Sequence, residues 1–252
     1  MIMSSITISL IVFACVFGGA LLGIFLHAVL PQHHLANESK DIVKLGMGLV
    51  GTMAALVLGL LVASAKGSYD AQSAELTQLS ANIALLDRGL ALYGPETKEE
   101  RALLRGAVVR ILDQMWSKDG SSSSPTAAPS GGEILYEKIQ ALSPKNETQR
   151  SLQGQALSIA VDIGKTRWLM YAQQATSVSM PLLVVLVIWL TVIFISFGLF
   201  APFNATVVSS LFVSALSVSG AILLILEMYG PYSGLIQISS APLRAALEHL
   251  GQ

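Results

Sequence analysis

Four stretches of this chain are apolar at almost every position: Ile6–Leu30, Leu45–Ala65, Pro181–Ala201 and Val207–Leu226. A helix needs roughly 20 apolar residues to cross a bilayer, and none of the four stretches contains Asp, Glu, Lys or Arg. Between the second and third the pattern changes. Leu76, Leu79, Ile83, Leu86 and Leu90 recur at alternating intervals of three and four, a heptad seam. No proline or turn cluster separates this seam from the second apolar run, so one helix is predicted to leave the membrane and continue to about Leu92, where Gly94-Pro95 ends it.

The polar middle reads as further helices. One is predicted to start near Thr97, with Glu100 completing a capping box, and to carry Leu104, Val108, Ile111 and Met115 on one face. Asp119–Gly132 is a flexible loop by composition. A short helix follows around Ile134–Leu142. Ser143-Pro144 then reads as a cap and first turn of a helix bearing Leu152, Ala156, Ile159 and Ile163. These seams fit either an ordinary bundle core or a coiled coil between copies. After the fourth run, Gly230-Pro231 stops the helix. The uncharged segment beyond it is too short to span and reads as interfacial or folded back on the bundle. Ser240 or Ser239 can cap a last short helix.

The expected fold class is therefore all-α and membrane-embedded: four spans in two pairs, with a helical domain inserted between spans two and three. The domains are 1–66 (first pair), 67–176 (middle domain), 177–228 (second pair) and 229–252 (interfacial tail). The first run is too long for a secretory leader, and no Lys or Arg precedes Lys40. "VFAC" ending at Cys15 is a poor lipoprotein cleavage site because Phe13 is bulky and the basic start is missing. Lys66, Lys165 and Arg167 flank spans two and three and predict a cytoplasmic middle domain with both termini beside it, in the cell membrane. Lys40 and Lys44 pull weakly the other way.

Composition narrows the chemistry. Only 12% of the 252 residues are charged, mean hydropathy is +0.63 and net charge is −1, which gives no basis for nucleic-acid binding. The middle segment Lys66–Arg167 holds twelve of the fifteen Lys and Arg and also twelve acids. With a single cysteine, Cys15, there is no intramolecular disulfide; within an apolar run it reads as a small hydrophobe.

Small residues recur every fourth position in two spans: Gly19 and Gly23 in the first, and Gly51, Ala55, Gly59 and Ala63 in the second. Such rows let helix backbones approach closely. Tight packing within one subunit is the simpler reading; lining of a pore or subunit contact is the functional one. In the fourth span Ser210, Ser214 and Ser217 fall within about 60° on a helical wheel and are candidates to line a hydrated path. Glu227 ends that span roughly 80° away. An ionisable group at membrane depth is a functional candidate by default, and Lys66 and Arg244 are its candidate partners. His33-His34 with Glu38 and Asp41 could ligate a metal, but adjacent loop histidines are usually solvated, and no metal or cofactor is expected. No Walker, dinucleotide or nucleophile-elbow pattern is present, so an enzyme is not expected.

The stretches "LGLLVASAKGSYD", "LLDRGLALYGPE" and "LILEM…PYSGLIQISSAPLR" resemble a family of bacterial membrane proteins whose shared region is called a bestrophin-like domain. The resemblance covers nearly the whole chain apart from Asp119–Gly132. By its name it implies kinship with bestrophins, oligomeric anion channels with four spans and a helical cytoplasmic body. Where the family usually carries an acid after the Glu-Met pair, this chain has Tyr229. The expected function is thus a homo-oligomeric channel in a lipid bilayer, passing small anions. The alternative is a membrane-anchored interaction or sensing protein whose helical bundle binds a partner.

Overall fold

The computed structural model describes residues 4–30, 37–116, 131–174, 178–232 and 234–251. Among these there are eight α-helices and no strands: α1 (Ser5–Val29), α2 (Asn37–Tyr93), α3 (Lys98–Met115), α4 (Gly131–Ala141), α5 (Glu147–Gln174), α6 (Met180–Phe200), α7 (Ala205–Met228) and α8 (Ala241–His249). The chain divides into two compact units. One comprises Met1–Ser68 with Ser177–Tyr229, the other Tyr69–Thr176 with Gly230–Gln252, and α2 contributes to both. The pair His33-His34 and residues 119–130 of the expected loop lie outside the described residues; Gly131 and Gly132 open α4.

In the first unit, α1, the apolar half of α2, α6 and α7 are each long and apolar enough to cross a membrane. Their outer faces carry large apolar side chains, among them Leu10, Phe25, Leu45, Leu49 and Leu56, each more than 60% exposed. So much exposed hydrocarbon would be a liability in water but is the correct surface for lipid. The core is formed by Val12, Val16 and Ala20 of α1, Ala54, Leu61 and Ala65 of α2, Leu186 and Phe194 of α6, and Ala215, Ile222 and Ile225 of α7. Phe13 and Phe17 stack on each other and both meet Phe212 edge to face, with centroids 5.4–5.7 Å apart. Buried Ser219 donates a hydrogen bond to the Ser9 carbonyl, tying α7 to α1.

α1 and α6 approach each other closely. A Cβ added to Gly23 would meet the Ile195 carbonyl at 2.1 Å, and one added to Gly198 would meet the Ala20 carbonyl at 2.1 Å. Gly19 faces Thr191 at 3.0 Å. Gly19 and Gly23 thus face α6 closely, with Gly198 as the reciprocal member. The second ladder behaves differently. Ala55, Gly59 and Ala63 are exposed, Gly51 is half-buried, and nothing lies within 4 Å of a Cβ built on Gly51 or Gly59. Among the described residues Gly51 and Gly59 therefore make no close contact, and α2 turns Ala54, Leu61 and Ala65 inward instead. His27 closes the last turn of α1 by donating from Nδ1 to the Leu199 carbonyl at 2.7 Å.

In the second unit the heptad seam is core: Leu76, Leu79, Ile83, Leu86 and Leu90 are at most 1% exposed. They pack with Leu104, Val108 and Ile111 of α3, Leu135 and Ile139 of α4 and Ala156 of α5. Leu152, Ile159 and Ile163 are only half-buried. The tail belongs to this core as well, through Ile238, Leu243, Ala246 and Leu250. Gly94 ends α2 at φ 140°, a conformation open to glycine. Two caps differ from the sequence expectation. Thr97 precedes α3, but its hydroxyl donates back to the Leu90 carbonyl at 2.6 Å and the Gly94 carbonyl at 2.9 Å, so no capping box forms. The free carbonyls at the end of α2 compete successfully for it. And α5 begins at Glu147, not at Pro144: Asn146 Oδ1 accepts from the Gln149 N–H while Gln149 Oε1 accepts from the Lys145 N–H, both at 2.8 Å. This reciprocal pair outcompetes Ser143.

The two small-residue ladders give opposite expectations. Gly198→Leu drives a side chain into backbone and should cost about 1–3 kcal/mol or more, whereas Gly59→Leu, facing open space, should change the chain's stability by less than ~0.5 kcal/mol. Melting temperatures of the two variants in detergent check this; equal losses would mean that both faces are packed within the chain.

Candidate functional site

Asn204 starts α7 by accepting the Val207 N–H at 2.8 Å, and this sets the rotation of every residue beyond it. The buried side of the helix is Leu211, Ala215, Ser219, Ile222, Ile225 and Leu226. Ser210, Ser214 and Ser217 are exposed on the other side, so the three are brought to one face as the spacing predicts. Ser217 donates to the Val213 carbonyl of its own helix at 2.9 Å, the usual inexpensive satisfaction of a hydroxyl in an apolar setting. The buried serine of this helix, Ser219, is a structural one.

Glu227 is not on that face. It is 6% exposed and engaged, not solvated at the end of the span. The exposed Lys66 is likewise engaged. Arg244 lies in the other unit, where its Nε donates to Ser240 Oγ at 3.0 Å. Next to Glu227, Tyr229 reaches α2: its hydroxyl is 3.0 Å from Ser64 Oγ. This phenol occupies the position at which the resemblance led us to expect an acid.

The second unit holds polar groups that periodicity did not single out. Asp87, 5% exposed, accepts from Nε and Nη2 of Arg101, each at 2.8 Å, and from the Gly251 N–H at 3.4 Å. These bonds push the Arg101 guanidinium above its ordinary value. One helical turn on, Arg105 donates to the Leu250 carbonyl at 2.8 Å, so α3 holds the last turn of α8 through charge-assisted bonds. A second group gathers around Tyr232. Its ring meets Trp116 edge-on at 5.7 Å, and Trp116 Nε1 donates to the Ile238 carbonyl at 3.0 Å. Glu75 accepts from Gln173 Nε2 at 2.6 Å. Burial, reinforced by the Glu75 carboxylate, pushes the Tyr232 phenol up, so it stays protonated. Burial, reinforced by the Arg110 guanidinium, lowers Arg167. Among the described residues no three His, Cys, Asp or Glu side chains converge on a point.

A family model described as a bestrophin-like domain matches residues 14–243. The chain belongs to the bestrophin-like family. No curated protein and no solved structure matches it. The match begins within α1 and ends within α8, and so takes in the later part of the first candidate span, the other three, the heptad seam, Asp87, Arg101, Glu227 and Tyr232 of this bestrophin-like chain.

The sequence signal that could have found the Asp87–Arg101 pair was an acid inside a heptad seam, between Leu86 and Leu90, and a basic residue early on the next helix. An acid at that register is either solvated or paired across the helix turn, and here it is paired. Asp87→Ala would remove the carboxylate that accepts from Nε and Nη2 of Arg101, whose side chain is only 18% exposed. The expected loss is about 3 kcal/mol, read from chemical denaturation. Asp87→Ala combined with Arg101→Met should recover part of it. A wild-type denaturation midpoint for Asp87→Ala would show that the pair carries no stability.

Proposed function

We propose that this bestrophin-like membrane protein is a homo-oligomeric channel for small anions, with the middle domain and both termini cytoplasmic. The observation that carries the reading is that the small and hydroxyl-bearing faces of the spans point away from the chain's own core. Ser210, Ser214 and Ser217 on α7, and Ala55, Gly59 and Ala63 on α2, are exposed in the single chain. Hydroxyls in a lining can replace part of the hydration of a small ion, and small residues admit a second helix closely. The second unit repeats the theme in water. Ala71, Ala74, Gln78, Ala81, Leu85 and Leu92 of α2 are exposed, and they fall within about 80° of one another at 3.6 residues per turn. Leu85 and Leu92 are 56% and 66% exposed. An uncharged stripe of this kind on a water-facing helix supports contact between copies. Charge supports the orientation, since Lys66, Lys165 and Arg167 flank spans two and three. The lack of any catalytic arrangement in the sequence supports a channel over an enzyme. Glu227, buried and engaged, would hold the end of α7 in place and would not form a charged ring at the mouth.

Mass determination in detergent followed by halide flux into liposomes tests the reading. Wild type should be larger than one protomer plus its detergent and should pass halide above empty liposomes. Ser210→Ala, Ser214→Ala and Ser217→Ala together should reduce flux at unchanged melting temperature, because each lost hydroxyl leaves no unpaired backbone group. If wild type passes no halide at any pH or voltage, the channel reading fails and the anchored-partner reading replaces it.

A further inference from the structure

Within the first unit, the start of α2 and the end of α6 leave an open cleft of about 590 Å³ between them. Its walls are apolar and include Gly48 and Gly51 of α2 and Phe197 and Phe200 of α6. The glycines create the space, since nothing lies within 4 Å of a Cβ built on either. The charged part of the lining lies at one end, where Lys40 and Lys44 stand one helical turn apart on the same strip of α2, and the buried Ser196 of α6 adds one hydroxyl to the wall. Lys40 is half-buried, with its Nζ 6.0 Å from the centre of the Phe200 ring. Lys44 has Asp41 at 3.8 Å, but both side chains are more than 60% exposed, so the pair is screened and leaves the ammonium available. Asp41 is not part of the lining.

The dimensions are those of a lipid. From Lys40 to Gly51 the helix rises about 16 Å, close to half of the ~30 Å hydrocarbon core. The two lysines precede the uncharged run Leu45–Ala65, so they stand at headgroup level while the cleft descends from them into one leaflet. The volume is within the range of small-molecule sites. An apolar trough of single-leaflet depth with two cations at its wet end complements a phosphate that carries an acyl chain, and it does not complement a choline headgroup, whose own cation would face the lysines.

We propose that this cleft binds one acyl chain of an anionic phospholipid, with Lys40 and Lys44 holding the headgroup phosphate. The protein, stripped of lipid in a non-ionic detergent, is titrated with dioleoylphosphatidylglycerol and separately with dioleoylphosphatidylcholine. Retained lipid is counted by native mass spectrometry. The anionic lipid should bind more tightly by tenfold or more. Each lysine should contribute about fivefold, so Lys40→Gln with Lys44→Gln should abolish the preference. Gly51→Leu fills the cleft without a clash, and should keep the lipid-free melting temperature while losing the anionic lipid. Glycerol 3-phosphate, a headgroup without chains, should not compete at millimolar concentration. Equal affinity for the two lipids, a preference that survives loss of both lysines, retention of lipid by Gly51→Leu, or competition by glycerol 3-phosphate would each overturn the proposal. So would a wild type that binds neither lipid, the result expected if a second copy of the chain fills the cleft.

Discussion

Backbone N–H and C=O groups find no water in hydrocarbon, so a chain enters lipid as a closed barrel or, as here, as helices that close their own hydrogen bonds. α2 meets that requirement and then does not stop. It runs as one helix from Asn37 to Tyr93, and its side chains change meaning along the way. Over the apolar half, the large residues at the surface are lipid-facing and the inward positions are Ala54, Leu61 and Ala65. Over the polar half, a seam of leucines and one isoleucine turns inward and the hydrophobic effect of water takes over. Each unit has its own core, built by the force that its solvent supplies. In lipid that force is close packing, hence the glycines between α1 and α6. In water it is burial, hence the heptads.

What could be read along the chain follows from this division. Strong periodicity and strong breakers were legible: the four apolar runs, the seam to Leu90, and the stops at Gly94-Pro95 and Gly230-Pro231; the tail was left open between an interfacial segment and one folded back on the bundle. Caps were less legible, because several hydroxyls and amides near a helix end compete for the same few backbone groups. Thr97 served the helix behind it, and Asn146 displaced Ser143. The glycine ladders show a different limit. A small residue permits close approach but does not cause it. Gly23 is used because Gly198 stands opposite, and that is a property of a pair distant in sequence, whereas Gly59 has no such partner in the chain. Burial of charge was the least legible feature. Glu227 reads as a span-end carboxylate and Asp87 as a stray acid in a seam, and only the folded arrangement buries both.

The candidate site follows the same logic. Ser210, Ser214 and Ser217 share a face because helical spacing compels it, and that much was available from sequence. That the face turns outward depends on the packing of α1 and α7, which the Ser219 hydroxyl helps to fix. Outward-facing hydroxyls and small residues gain a purpose only in an assembly, and for this reason the proposed channel and the proposed oligomer stand together. Membership in the bestrophin-like family agrees with a membrane protein of four spans.

Everything proposed about assembly and ion passage presumes that the polar unit lies on one side of the membrane and the α6–α7 turn on the other. Sided cysteine labelling measures this directly. With Cys15 replaced by Ser, single cysteines at the exposed positions Arg150 and Phe203 are reacted in right-side-out and inside-out vesicles with a membrane-impermeant maleimide. The account predicts that Arg150→Cys labels only in inside-out vesicles and Phe203→Cys only in right-side-out ones. Labelling of both from the same side would contradict it.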